Sequence, residues 1–397
     1  SIILWSLGNE LQIREGWAGF EGTNDWGITT YNIFNQLVKR WDNTRLTTVA
    51  MFPARAGAIT RHDKEFNDYL VPPELACATE VASFNYQSDK YDAYLKYKPD
   101  LILFQSEAET SNLLQPYYNM DRKRTVGMAY WGSAEYWGES NKWPKKGWNY
   151  SFFDHTMRPY PQAYLIKSAF MPEIPEVHIG VVDAAGAESV SWNDVIVGRM
   201  ALNECWNHTP GSRQSLFTFT NAHSVELLVN GQSMGVQEND TTQANLRNMI
   251  YWKDVPYGNG GSVVAIARDK SGKEVARHHI ETAGKAVALR IEAETPADWK
   301  ADGMDLQYIN VTAIDKKGRP VWDYNKPLTL QMEGAAWLVA LDNGDHYTDE
   351  LFHGITSKRM YQGRMQIILR STKTPSNVKL EISSADLKEK LSLKTSL

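Results

Sequence analysis

The sequence predicts two kinds of fold in tandem, an α/β portion with parallel strands followed by two all-β sandwiches, and three observations carry that prediction. Short apolar runs alternate with helical patterns as far as Phe170, the layout of a parallel sheet with covering helices. Polar residues follow several of those runs directly. Beyond Pro172 and Pro175 the texture changes to short β-rich runs separated by turn signals, the mark of antiparallel sandwiches. A length of 397 residues agrees, since it exceeds what one ordinary core holds.

In chain order, the runs Ser1–Leu7, Leu46–Phe52, Val81–Tyr86, Leu101–Ser106 and Val126–Trp131 read as strands. Between the first two, Ile33, Phe34, Leu37, Val38 and Trp41 recur at helical spacing and predict an amphipathic helix. Tyr91, Tyr94, Leu95 and Lys98 outline another, and Pro161–Phe170 reads as a closing helix. Such a series suits either a doubly wound sheet or part of a (β/α)8 TIM barrel. Asn9-Glu10, Asn85-Tyr86 and Ser106-Glu107 stand at strand C-terminal ends, where α/β barrels keep their chemistry. The glycine-rich phosphate loop of a doubly wound nucleotide binder is absent, which favours the barrel. The chain opens on Ser1 and runs straight into Ile2-Ile3-Leu4-Trp5, a buried strand with no turn before it, as expected of a truncated sequence.

In the β-rich part, Ser215–Phe219, Val225–Val229 and Val263–Ala267 predict strands, with turns at Asn230-Gly231 and Lys270–Gly272. A second block from Ala286 holds Tyr308–Ile314, Leu328–Met332, Met365–Leu369 and Val378–Ile382, with turns at Lys316–Gly318 and Asn343-Gly344. The predicted domains are 1–173, 174–285 and 286–397.

Composition excludes several function classes. A formal charge of −5 is small for this length and argues against a dedicated nucleic-acid binder or a basic membrane-surface patch. No apolar run reaches the ~20 residues of a membrane helix. Cys77 and Cys205 fall in different predicted domains and are expected as free, buried thiols. Neither CxxC nor HExxH occurs, so a structural zinc site is not expected. The 14 Trp and 19 Tyr serve mainly as core, although aromatic rings also stack on sugar faces.

The opening string Ser1-Ile-Ile-Leu-Trp-Ser-Leu-Gly-Asn-Glu10 brings an amide and a carboxyl to a strand end, suited to binding a hydroxyl and donating a proton. An isolated Asn-Glu pair would more simply cap a turn. The whole string, however, resembles the acid/base signature of glycoside hydrolase family 2. Pro99-Asp-Leu-Ile-Leu-Phe-Gln-Ser-Glu107 is similar to the family's nucleophile strand, and Gly127-Met-Ala-Tyr-Trp131-Gly-Ser-Ala-Glu135 to its last barrel strand. The resemblance implies that the chain carries barrel strands 4–8, with Glu10 as acid/base and Glu107 as nucleophile. It further implies that Asn9, Asn85 and Glu135 contact the substrate, that Tyr86 bonds the nucleophile, and that Trp131 floors the sugar site. Glu109 competes with Glu107, being two residues along the same strand. His155 is expected to be a core or solvated histidine.

Retaining glycosidases need one carboxylic acid on the leaving oxygen and one carboxylate at the anomeric carbon. Val225-Glu-Leu-Leu-Val-Asn-Gly-Gln-Ser-Met-Gly235 resembles an Ig-like module that follows the barrel in this family, and Leu341-Asp-Asn-Gly-Asp345 resembles part of the terminal one. Family glucuronidases carry an Asn-x-Lys motif; the one here, Asn377-Val-Lys379, lies deep in the last sandwich, so a β-galactoside is the expected substrate over a glucuronide. A non-catalytic carbohydrate-binding protein is the alternative from another class. The chemistry requires no cofactor; Mg or Na occurs near the site in some relatives, but no ligand cluster is legible here. Oligomeric state is not legible, and activity is not expected from the 397 residues alone.

Overall fold

Apolar runs long enough for a single strand, spaced by helical stretches, build one parallel sheet. The computed structural model describes residues 2–10, 27–52, 72–110, 113–140, 142–183, 188–192 and 195–396. Ser1, where the first predicted run opens, lies outside them. Strands β1 (Leu4–Asn9), β2 (Leu46–Met51), β3 (Val81–Asn85), β4 (Leu103–Glu109) and β5 (Thr125–Trp131) pair in sequential order, all parallel. Helices α1 (Ile28–Trp41), α2 (Glu74–Ala78), α3 (Tyr91–Tyr97) and α4 (Gln115–Asn119) lie between them in sequence, and α5 (Pro161–Phe170) follows β5. Central β3 is buried along its whole length, as is β2 from Thr47 onward, which is why both read as continuous apolar runs. Val49, Met51, Ala82, Phe84 and Leu103 form this core with Tyr31, Leu75, Tyr91 and Tyr94.

Three local expectations change. Strand β1 pairs with β2 and is only partly buried, and Ile3 before it is 85% exposed. On α1 the apolar stripe of Ile33, Phe34, Leu37 and Trp41 is exposed. A different face turns inward: the Tyr31 hydroxyl meets Thr47 Oγ1 at 2.8 Å, and Asn35 Oδ1 accepts from the same oxygen at 3.0 Å. Polar anchoring, not the apolar stripe, orients this helix. Cys77 is exposed rather than buried, because its neighbours Leu75 and Ala76 take the inward face of α2; both cysteines are free.

The chain divides into two compact units, one of residues 1–133, 185–201 and 240–247, the other of 134–184, 202–239 and 248–397. The second unit contains two sandwiches. In the first, the sheet of Leu202–Asn203, Val177–Val182, Arg213–Thr220 and Met249–Pro256 faces that of Gln232–Glu238, Ser224–Val229, Ser262–Arg268 and Glu274–Glu281. Ile179, Val181, Trp206, Leu216, Leu227 and Ala265 fill the space between. Asn230 and Gly231 both have positive φ, 51° and 80°, so the predicted tight hairpin turn forms as read. In the second sandwich, Ala288–Ala293, Leu306–Ile314, Arg364–Ser371 and Ala336–Asp342 pack on Ser357–Arg359, Pro327–Glu333, Asn377–Ser384 and Leu387–Lys394. Its core joins Trp299, Val311, Leu330, Ile367 and Leu380.

Candidate active site

Parallel pairing aligns the strand ends, and the polar residues predicted there meet. Asn85, at the end of β3 and fully buried, pairs in register with Glu107 on β4. Its amide donates to Asn9 Oδ1 at 3.1 Å and to Glu10 Oε1 at 3.4 Å, and its Oδ1 accepts from Ser106 Oγ at 2.7 Å. The next residue serves the other acid. Tyr86 donates its hydroxyl to Glu107 Oε2 at 2.5 Å and its backbone N–H to the Glu107 carbonyl at 2.8 Å, while its ring meets the Phe52 ring edge-on at 5.4 Å.

Glu10 and Tyr86 both adopt left-handed backbone, with φ of 51° and 59°. Neither is a glycine, so each conformation costs free energy that the surroundings must offset. Both turns aim polar side chains across the strand ends. Glu107 is buried, whereas Glu109 is half-buried and aligns with Trp131 on β5. Asn9, Glu10, Asn85, Tyr86 and Glu107 therefore form one bonded group, and half-buried Trp131 belongs to the same sheet two strand positions beyond Glu107.

Glu135 belongs to the second unit, and its side chain is 1% exposed and held by protein groups. Tyr160 donates its hydroxyl to Glu135 Oε1 at 2.9 Å, and His346 Nε2 lies 3.0 Å from Oε2. His155 is a buried core histidine as expected, with Nε2 2.8 Å from Asp342 Oδ1. Burial lowers its pKa, but Asp342 and Glu135 beside it more than offset this and raise it to about 9.

Sequence reading missed the neighbours of Glu135, since His155 and His346 come from distant segments and no motif spacing relates them. Among the described residues, two groups have the side chains and spacing to hold a metal ion: Glu135, His155 and His346, and His178, Glu204 and His278. Neither includes Glu10 or Glu107. No catalytic step is assigned to a metal ion.

Parts of the chain are similar to known proteins. Residues 289–391 match the model of the glycoside hydrolase family 2 C-terminal domain 5, and residues 211–276 match a domain of unknown function, DUF4982. A β-galactosidase from Bacteroides ovatus, BoGH2A, is 29% identical over 245 residues, which cover 60% of this chain and 27% of that protein. Over these stretches the chain is similar to members of glycoside hydrolase family 2. A β-glucuronidase from Formosa agariphila is 26% identical over 42% of this chain and 14% of its own length. The solved structure of a family 2 member from Bacteroides cellulosilyticus superposes with a TM-score of 0.83 at 23% identity, covering 100% of this chain and 50% of that one. The chain thus spans about half the length of this solved family 2 relative and less of the two curated ones.

Proposed function

We propose that this chain carries the catalytic acids of a retaining β-glycosidase acting on terminal β-D-galactosides. Glu10 is the acid/base and Glu107 the nucleophile. The reading rests on one observation: Asn85 bonds Glu10 while its chain neighbour Tyr86 bonds Glu107, so two carboxyls at parallel strand ends are set by one dipeptide.

In the first step Glu10 protonates the glycosidic oxygen as the Glu107 carboxylate attacks the anomeric carbon. The C–O bond to the leaving group breaks, and a glycosyl ester of Glu107 forms. Glu10, now a carboxylate, takes a proton from water, and the resulting hydroxide displaces Glu107 and releases the sugar with its configuration retained. The Tyr86 hydroxyl orients Glu107 and lowers its charge density before attack. Asn9 and Asn85 bond sugar hydroxyls, and Trp131 supplies an apolar floor.

The β1–β5 sheet is taken as part of a (β/α)8 barrel. Sequential parallel order with no reversal supports this over a doubly wound sheet, whose strand order switches direction. The domains 1–173, 174–285 and 286–397, the last two Ig-like, are proposed on the same basis. A galactoside is preferred to a glucuronide because Asn377 and Lys379, the Asn-x-Lys pair, lie within a paired strand of the last sandwich. The similarity to the Formosa β-glucuronidase keeps that sugar as the second reading.

The whole protein incubated with a 2-fluoro galactosyl probe is expected to accumulate a covalent ester on Glu107, read by peptide mass spectrometry. Glu107→Gln is expected to abolish both the adduct and turnover, and Glu10→Gln to slow turnover about 10²–10⁴-fold. Labelling by the glucuronyl analogue alone would exchange the sugar. A Glu107→Gln variant with near-normal turnover would remove the nucleophile assignment.

A further inference from the structure

We infer that Glu135, His155 and His346 form a binding site for a Zn2+-class ion that ties the segment after β5 to the terminal sandwich. Their ligand atoms all lie within 4.8 Å of one another. Glu135 Oε2 stands 3.0 Å from His346 Nε2 and 3.7 Å from His155 Nδ1. Tetrahedral zinc, with bonds of about 2.0–2.2 Å, separates its ligand atoms by about 3.3–3.5 Å, and the two spacings bracket that value.

The hydrogen bonding of this cluster is what a ligand set leaves. The His155 and His346 side chains are 4% and 3% exposed, yet neither His155 Nδ1 nor His346 Nε2 makes a hydrogen bond. His346 Nε2 lies 3.0 Å from Glu135 Oε2 without forming a hydrogen bond to it. Buried ring nitrogens without a partner are costly in an apolar setting, and here Trp137 packs 4.9 Å and 5.1 Å from the two rings.

Two of the three ligands, His155 and Glu135, have the supporting partners of a zinc site. His155 turns Nε2 to Asp342 at 2.8 Å, which fixes the tautomer with Nδ1 free to coordinate. Tyr160 holds the other Glu135 oxygen at 2.9 Å. Charge also balances: a divalent ion with neutral imidazoles offsets the carboxylates of Glu135 and Asp342. Gly147 packs beside the site, where a Cβ would lie 3.0 Å from His346 Cε1. Imidazole with a single carboxylate favours Zn2+ over Mg2+ or Ca2+, which prefer all-oxygen shells. This site is independent of the glycosidase reading, since it shares no residue with the acid pair.

The test strips the whole protein with a chelator and titrates it with Zn2+ and, separately, Co2+. One equivalent of either ion is expected to bind, Co2+ with the intense visible bands of a tetrahedral complex, and Zn2+ is expected to raise the melting temperature. His346→Gln and His155→Gln are expected to lose all three signals, Asp342→Asn to weaken binding about 10–100-fold, and His278→Gln to keep them. Wild-type protein that binds no stoichiometric ion has a cluster held by protons alone, which overturns the site without recourse to any variant. Retention of binding in both His346→Gln and His155→Gln, or its loss in His278→Gln, overturns the assignment equally.

Discussion

At the residue scale, the pair that matters most is Asn85-Tyr86, because each member answers to a different acid. Hydrogen bonds to charged groups contribute about 1.5–3 kcal/mol, so removing the Tyr86 hydroxyl should be felt in catalysis as well as in stability. Tyr86→Phe is expected to lower kcat/KM about 10–100-fold and to lower the unfolding midpoint modestly. A loss smaller than threefold would detach Tyr86 from the nucleophile. Most of this constellation was legible in the sequence: Asn9, Glu10, Asn85, Tyr86 and Glu107 each follow or end an apolar run, and parallel pairing brings such ends together. Glu135 shows what was not legible, namely the protein groups that enclose it. Its burial depends on His346, 211 positions away, and no local pattern encodes that contact.

At the element scale, strands were more legible than helix faces. A strand buried on both sides must be apolar throughout, so β2 and β3 announce themselves. Helix α1 shows the limit of periodicity, since its exposed stripe is more apolar than the face that packs through Tyr31 and Asn35. The turns obey backbone sterics closely enough to predict. Gly334 has φ of 109°, and a Cβ there would sit 2.4 Å from the Asn377 carbonyl oxygen. Gly334→Ala is expected to cost about 1–3 kcal/mol from the strained backbone alone, with more from the clash, read as a lower urea midpoint for the terminal sandwich. An unchanged midpoint would mean that the two strands slide apart at no cost.

For the whole molecule, pH is a lever on the first sandwich. Burial beside His178 lowers the His278 pKa to about 4. Between pH 6.5 and 4 the unfolded chain binds a proton there that the folded chain refuses, so stability falls as pH drops through that window. Burial alone would raise the Glu204 pKa, but its contact with His178 and the charges of Arg364 and His278 hold it at about 2. Its contribution is present above about 4.5 and is lost as pH falls from there toward 2. Both effects point the same way. Urea unfolding is expected to give a lower midpoint at pH 5 than at pH 7, and His278→Gln is expected to shrink that difference; an equal difference in the variant would assign acid lability elsewhere.

The sequence by itself determined the parallel run of strands, the change to sandwiches beyond Pro175 and the polar strand ends, because burial imposes period and composition locally. Only the tertiary structure decided which face of α1 turns inward and that Glu135 meets His155 and His346. Those outcomes depend on contacts between segments far apart in the chain, and hydrophobic burial, being non-directional, leaves no local mark of which distant partner it will choose.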